Sequence, residues 1–228
     1  MFCIEGGATA RIPVVAFVGT NLNAANQTTY TFTDEPVGVA NHDRVVVVCI
    51  GAATSGVSET ISSATIGGLS ASIINQAATD SGTDEAISGI ITRFLPAGTT
   101  ATIAITFSGA CLNCGIAVYT LRGTGGLTAA NNTDTTINNS GTATTLDYTL
   151  PANSAAVFVS CQDGGSTETC TWTAGTTDPT EDSDFSIEVD TEMSSASIVK
   201  QQAAVGVTNT ISTWSNTGRV SSCVAVWT

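Results

Sequence analysis

Apolar and polar positions alternate with a period of two along most of this chain. In "TATIAITFS", Ile103, Ile105 and Phe107 fall on one side and Thr102, Ala104 and Thr106 on the other, the pattern of a half-buried strand. Val45 to Ile50 and Ala155 to Cys161 are apolar at successive positions, and "GIAVYTL" and "CVAVW" read alike; such runs suit central strands covered on both faces. Turn chemistry separates the runs at Gly67–Gly68, Pro96, Pro151, Gly164 and Gly218. No stretch carries apolar residues at helical spacing. The pattern predicts an all-β chain, an antiparallel β-sandwich of jelly-roll-like kind with about a dozen strands. Residues 1–228 read as a single β-sandwich domain, with Val45, Val47, Ile103, Ile105, Val118, Phe158 and Val224 buried. The Asn- and Thr-rich stretch from Thr124 to Thr145 predicts a polar loop or exposed hairpin.

Composition agrees with this reading and narrows the partners. Of 228 residues, 42% are hydrophobic, enough to fill a core without disulfide staples. Only 11% are charged, against roughly 25% in an average soluble domain. The net charge is -13 and Lys200 is the single lysine, so a phosphate backbone would be repelled and no nucleic acid partner is expected. No membrane insertion is expected either, because Ile12 to Val18 falls far short of the ~20 apolar residues that span a bilayer. Glu5 and a late Arg11 stand where a secretory signal would carry an early basic cluster, which predicts a chain made without one.

The residue types that usually carry chemistry lack companions. His42, in "NHDRVVVVC", is the only histidine; Asn41, His42 and Asp43 suit a turn, and Arg44 suits the edge of the sheet where the valine run enters the core. Cys111 and Cys114 have the spacing of a zinc knuckle or a redox pair. No second C-x-x-C accompanies them, however, and strand pattern stands on both sides, so they read as a turn that carries two thiols. Of the seven cysteines, Cys49 and Cys223 sit in apolar runs as small hydrophobes, while Cys161 and Cys170 flank a segment that could be a hairpin bringing them opposite each other. Asp178 to Asp184, "DPTEDSD", lacks the glycine and terminal glutamate of a calcium loop and reads as a solvated acidic loop. No metal site and no cofactor is expected.

Two resemblances bear on function. In "IEVDTE", Glu188, Asp190 and Glu192 alternate and would line one face of a strand. This spelling resembles the E-x-D-x-E strand of laminarinase- and lichenase-like glycoside hydrolases, which implies Glu188 as nucleophile and Glu192 as acid/base. A related carbohydrate-binding alternative uses Trp172 or Trp214 as a stacking platform. The broader likeness runs through "YTFTDEPVGVANHDRVVVVCIGA", "SSATIGGLSAS", "TATIAITFSG", "GIAVYTLRG" and "TCTWTAGTTD". These segments resemble β-sandwich structural proteins of tailed bacteriophage virions and gene-transfer particles, with Asp43–Arg44, Thr65 to Gly68 and Trp172 to Gly175 as the matching points. The resemblance implies a surface-displayed capsid decoration, head-spike or tail-fibre component rather than an enzyme. It implies assembly in the host cytoplasm and residence in the virion. Its partners would be further copies of itself and other virion proteins, with a host-surface glycan as a possible ligand. A homo-oligomer is expected on physical grounds as well, because one lysine and five arginines are too few to guard the strand edges from other chains.

Overall fold

The structure is a computed structural model describing residues 13–124, 130–164, 168–174, 179–188, 190–200 and 205–228; Cys3, Glu5, Arg11, Gly175 and Asp178 lie outside these. Among the described residues every regular element is a strand and every pairing is antiparallel, so the all-β sandwich is as the alternation predicts. The described residues form fifteen strands in three sheets. The first sheet comprises β2 (Gln27–Pro36), β8 (Thr100–Cys111), β4 (Ile61–Ile66) and the two-residue β5 (Leu69–Ser70), in that order. The central sheet runs β1 (Val14–Asn23), β9 (Asn113–Arg122), β3 (Val45–Ser55), β7 (Asp84–Phe94) and β6 (Ser72–Ala78). The third runs β10 (Asn132–Leu150), β15 (Val205–Trp227), β11 (Ser154–Asp163), β14 (Thr191–Lys200) and β13 (Thr180–Glu188), with β12 (Cys170–Ala174) also paired to β15.

The four valines of β3 explain the stacking. Val46, Val48 and Ile50 point to one side and pack with Tyr30, Phe32, Ile103 and Phe107 of the first sheet. Val45, Val47 and Cys49 point to the other and pack with Val157, Val159, Cys223 and Trp227 of the third. A strand covered on both faces has no solvent side, so the run needs no polar alternation. Val45, Val47, Ile103, Ile105, Val118, Phe158 and Val224 are all buried.

The third sheet folds back on itself, which a two-layer jelly roll does not do. β10 has 19 residues and β15 has 23, and at about 3.3 Å per residue they are too long for one flat layer. Their pairing shifts register at Asn138, Gly141 and Ala143, opposite the Thr213–Gly218 stretch of β15. Beyond this corner, Ser212 returns to within 3.2 Å of Ser222 on the same strand, hydroxyl to hydroxyl. Ten residues of straight strand would hold those groups about 33 Å apart. The fold encloses a third core of Leu146, Tyr148, Phe158, Trp172, Trp214 and Val224. The expected polar loop is thus corrected: Asn132–Leu150 is strand, because even a polar edge strand is held by the ladder to β15. Residues 125–129 of that stretch lie outside the described ones.

Six described cysteines are buried free thiols. Cys161 directs its sulfur to the carbonyl of Ala52 on the central sheet, whereas Cys170 lies in the third core behind the opposite face, so the hairpin does not bring them together. Cys111 ends β8 and Cys114 lies in β9, both inside the first core. Burial pushes the thiols up, Cys111 and Cys223 to about 12. Thiolate is the reactive form. With the native protein, a thiol reagent such as DTNB is therefore expected to titrate at most Cys3 of the seven, and all seven in denaturant. Rapid native reaction of two or more would overturn this packing.

Candidate functional site: an acidic cleft at one end of the sheets

The segment "NHDRVVVVC" forms no reaction centre. His42 is exposed in a turn, while Arg44 is fully buried and donates from Nε to Leu95 O (2.7 Å), from Nη1 to Gly38 O (2.6 Å) and from Nη2 to Ala97 O (2.8 Å). Asp43, also buried, accepts from the backbone N–H of Gly123 at 3.0 Å. The pair ties the loops at the head of β3 together through these backbone contacts.

The carbohydrate candidates are dispersed in the same way. Trp172 and Trp214 are 5% and 2% exposed, so neither ring offers a face on which a sugar could stack. Their indole N–H groups donate inward, Trp172 to Ser194 Oγ at 2.8 Å and Trp214 to Ser160 Oγ at 3.0 Å. Glu188, Asp190 and Glu192 do not share a strand: Glu188 ends β13, Asp190 lies in the turn and Glu192 follows in β14, where it is buried. The period of two is broken by a hairpin turn, which the spelling does not mark. The acidic stretch after Asp178 is likewise part of β13 rather than a loop, and Asp184 accepts from Cys170 N at 2.9 Å. Burial raises Asp184 and Asp182 above the usual aspartate range.

What the fold does assemble is a cleft of about 640 Å³ where loops from all three sheets meet, lined by Asn26, Asp84, Asn113, Asp163, Glu188 and Asp190 among others. Asn113, at the start of β9, is almost wholly buried and organises one wall. Its Oδ1 accepts from Ala53 N at 3.2 Å, while its Nδ2 donates to Thr191 Oγ1 at 2.9 Å and to Glu188 Oε2 at 3.4 Å. On the opposite wall, Gly164 N donates to Asp190 O at 3.0 Å and joins the end of β11 to the β13–β14 turn. The loop before β7 is shaped by buried Glu85, which accepts from Thr79 Oγ1 (2.7 Å), Ser81 N (2.7 Å) and Gly82 N (2.7 Å). Burial alone would raise Glu85, but these donors outweigh it and hold the carboxyl below its usual range.

Asp163 is the distinctive group. It is 4% exposed, and its nearest cation, Arg219 Nη1, stands 3.8 Å from Oδ2. Arg219 is otherwise engaged, donating from Nε to Ser81 Oγ at 2.9 Å and from Nη2 to Thr83 Oγ1 at 2.6 Å. Burial first, and then the charge of Asp84, push Asp163 up to about 7, with Asp190 and Glu85 adding to the rise and Arg219 opposing it. The cleft can therefore accept hydrogen bonds from hydroxyl- or ammonium-bearing groups and exchange a proton near neutrality. Among the described residues no three of His, Cys, Asp or Glu converge closely enough to share a metal ion.

The sign of the resulting pH dependence follows from the raised value. The folded state holds the Asp163 proton more tightly than the unfolded chain, whose aspartate titrates near 3.8. The stabilising contribution is complete below that value and is lost as pH rises towards about 7. Asp163→Asn is expected to flatten stability between those two values and to be more stable than the parent at alkaline pH. Denaturant titrations across the range test this, and parallel curves for both proteins would overturn it.

Sequence reasoning finds Glu188 and Asp190 but misses Asp84, Asp163 and Asn113. A possible signal was present in "QDGG", an aspartate held at a strand end by a glycine turn, and in "TDEA". Compared with known protein families and with curated proteins, the chain matches none.

Proposed function

We propose that this protein is a structural protein of a bacteriophage virion, displayed on the particle surface as a capsid decoration, head-spike or tail-fibre component. The observation that supports this most is the outer face of the first sheet. Thr29, Thr31, Ser63, Thr65, Thr102 and Thr106 point away from the core there, and none of the outward positions between Gln27 and Thr33 of β2, in β4 or in β8 is charged. Thr29 and Thr106 bond to each other across β2 and β8 at 3.1 Å. In a chain of net charge -13, an extended hydroxyl face whose carboxylates stand at its margins, such as Glu59 beside Ser108, costs little to desolvate and suits permanent contact with another protein. On a symmetric particle, many copies turn a weak contact into a firm one, so neither an enzyme nor a deep pocket is required. Density-gradient sedimentation of lysates from cells producing the particle tests the reading. The protein is expected to travel with intact particles and to be labelled on their surface by antibody. Protein found only in the soluble fraction would overturn it.

A carbohydrate-binding role is the second reading, and the acidic cleft favours it, since carboxylates accept hydrogen bonds from sugar hydroxyls. It proceeds without Trp172, Trp214 and Glu192, which are buried. Calorimetric titration with oligosaccharides is expected to give a signal that Glu188→Gln abolishes; no heat with any glycan would remove this reading.

A further inference from the structure

We propose that two copies of this chain associate through β1, edge to edge and antiparallel, extending the central sheet across a twofold axis. The inference rests on the reading of the protein as an assembly subunit, and it names the surface and the partner. β1 pairs only with β9, and among the described residues no strand occupies its other backbone edge. Natural proteins guard such edges with charge, proline, shortness or cover. The other edges show these devices. β5 has two residues and β12 has five. β6 is tied beneath the third sheet through Asn75 Nδ2, which donates to Asp134 O (3.1 Å) and Val224 O (2.7 Å). β13 carries Glu181, Asp182, Asp184 and Glu188; β10 carries Asp134 and Asp147; β2 ends in Asp34, Glu35 and Pro36.

β1 carries none of them. Its ten residues, "VVAFVGTNLN", include no charge and no proline, and Val14, Phe17 and Leu22 are 53%, 37% and 44% exposed. Its one guarding feature is the register shift between Phe17 and Gly19, which leaves a straight run of strand on either side.

A second copy is favoured over another partner by the charges at the two ends. Arg122 of β9 pairs with Val14 at one end of the edge. Glu35 accepts from Asn21 Nδ2 at the other. Antiparallel pairing of identical strands sets the N-terminal end of one against the C-terminal end of the other, so the Arg122 end of each copy meets the Glu35 end of its partner, twice. Arg122 Nη2 donates to Val39 O at 3.0 Å, which holds the guanidinium at that end of the sheet. For a chain of net charge -13, a neutral strand with an arginine at one end is a place where two copies repel little.

Sedimentation velocity of the full chain in the micromolar range is expected to show a dimer. Val14→Lys combined with Leu22→Lys sets lysines against each other at both ends and removes exposed apolar contacts. It is expected to weaken the dimer about tenfold or more. Val57→Lys, an equally exposed apolar position outside β1, is expected to leave the dimer unchanged. Circular dichroism checks that each variant keeps its strand content. A parent that sediments as a monomer, or a dimer indifferent to the lysine pair, overturns the β1 interface and leaves the particle reading to its own test. A β1-dependent dimer that is absent from particles overturns the particle reading instead.

Discussion

Arg44→Met is expected to lower the unfolding free energy by about 3–5 kcal/mol, because hydrogen bonds from a buried charged group are worth about 1.5–3 kcal/mol each and their loss strands the acceptors. The methionine keeps most of the apolar stem, so the loss reads the polar contacts rather than a cavity. The carbonyls of Gly38, Leu95 and Ala97 would each lose a donor. Leu95 N also donates to Arg44 O at 3.0 Å, so the Val37–Asn41 and Leu95–Gly98 loops depend on this one residue from both its ends. Arg44→Lys is expected to recover only part of the loss, since a single ammonium cannot span the three directions of a guanidinium fork. Urea unfolding of the three proteins tests this. A loss below about 1 kcal/mol for Arg44→Met would show that the loops hold themselves.

Trp214→Ala is expected to cost about 3–5 kcal/mol, the range for truncating a buried aromatic side chain. Trp214 heads the largest fully buried side chains and sits at the corner where β10 and β15 fold over. Its indole N–H anchors a hydroxyl cluster: Ser160 bonds Ser222 at 2.8 Å, and Thr144 bonds both Ser212 and Ser222 at 2.7 Å. Trp214→Phe is expected to cost about half as much, since most of the core volume stays and Ser160 keeps its bond to Ser222. The same pair of variants separates a core tryptophan from a ligand platform. A platform residue would lose binding on truncation and keep its stability. Wild-type stability for Trp214→Ala would refute the folded-back third sheet.

The two tryptophans show where a sequence pattern stops being informative. "CTWTA" is an alternating strand, but alternation states only that Trp172 differs in side from Thr171 and Thr173, not which side water occupies. That depends on the β10–β15 corner, set by a register shift at Gly141 and Gly218; the turn signal at Gly218 marks a break in the run but not the side to which the sheet folds. "IEVDTE" failed for a related reason: the alternation in the sequence is real, but a turn at Asp190 sends Glu188 and Glu192 to different strands. Asn132–Leu150 was unreadable as a strand of the third sheet because its residues favour turns when alone, and the pairing that overrides them comes from residues about 55–95 positions away.

By itself the sequence determined the all-β class, the central position of Val45–Ile50 and the buried residues, since burial of period-two and doubly apolar runs is decided by side-chain chemistry within a few residues. It also determined the acidity and the scarcity of cations, which are sums and need no geometry. Only the tertiary structure decided that there are three sheets and a third core, that Arg44 is spent on carbonyls, and that Asp84, Asp163, Glu188 and Asp190 meet in one cleft. Those outcomes depend on which loop ends arrive at the same point in space. Strand pairing between distant segments sets that meeting point, and with it the burial that moves the Asp163 proton towards neutrality.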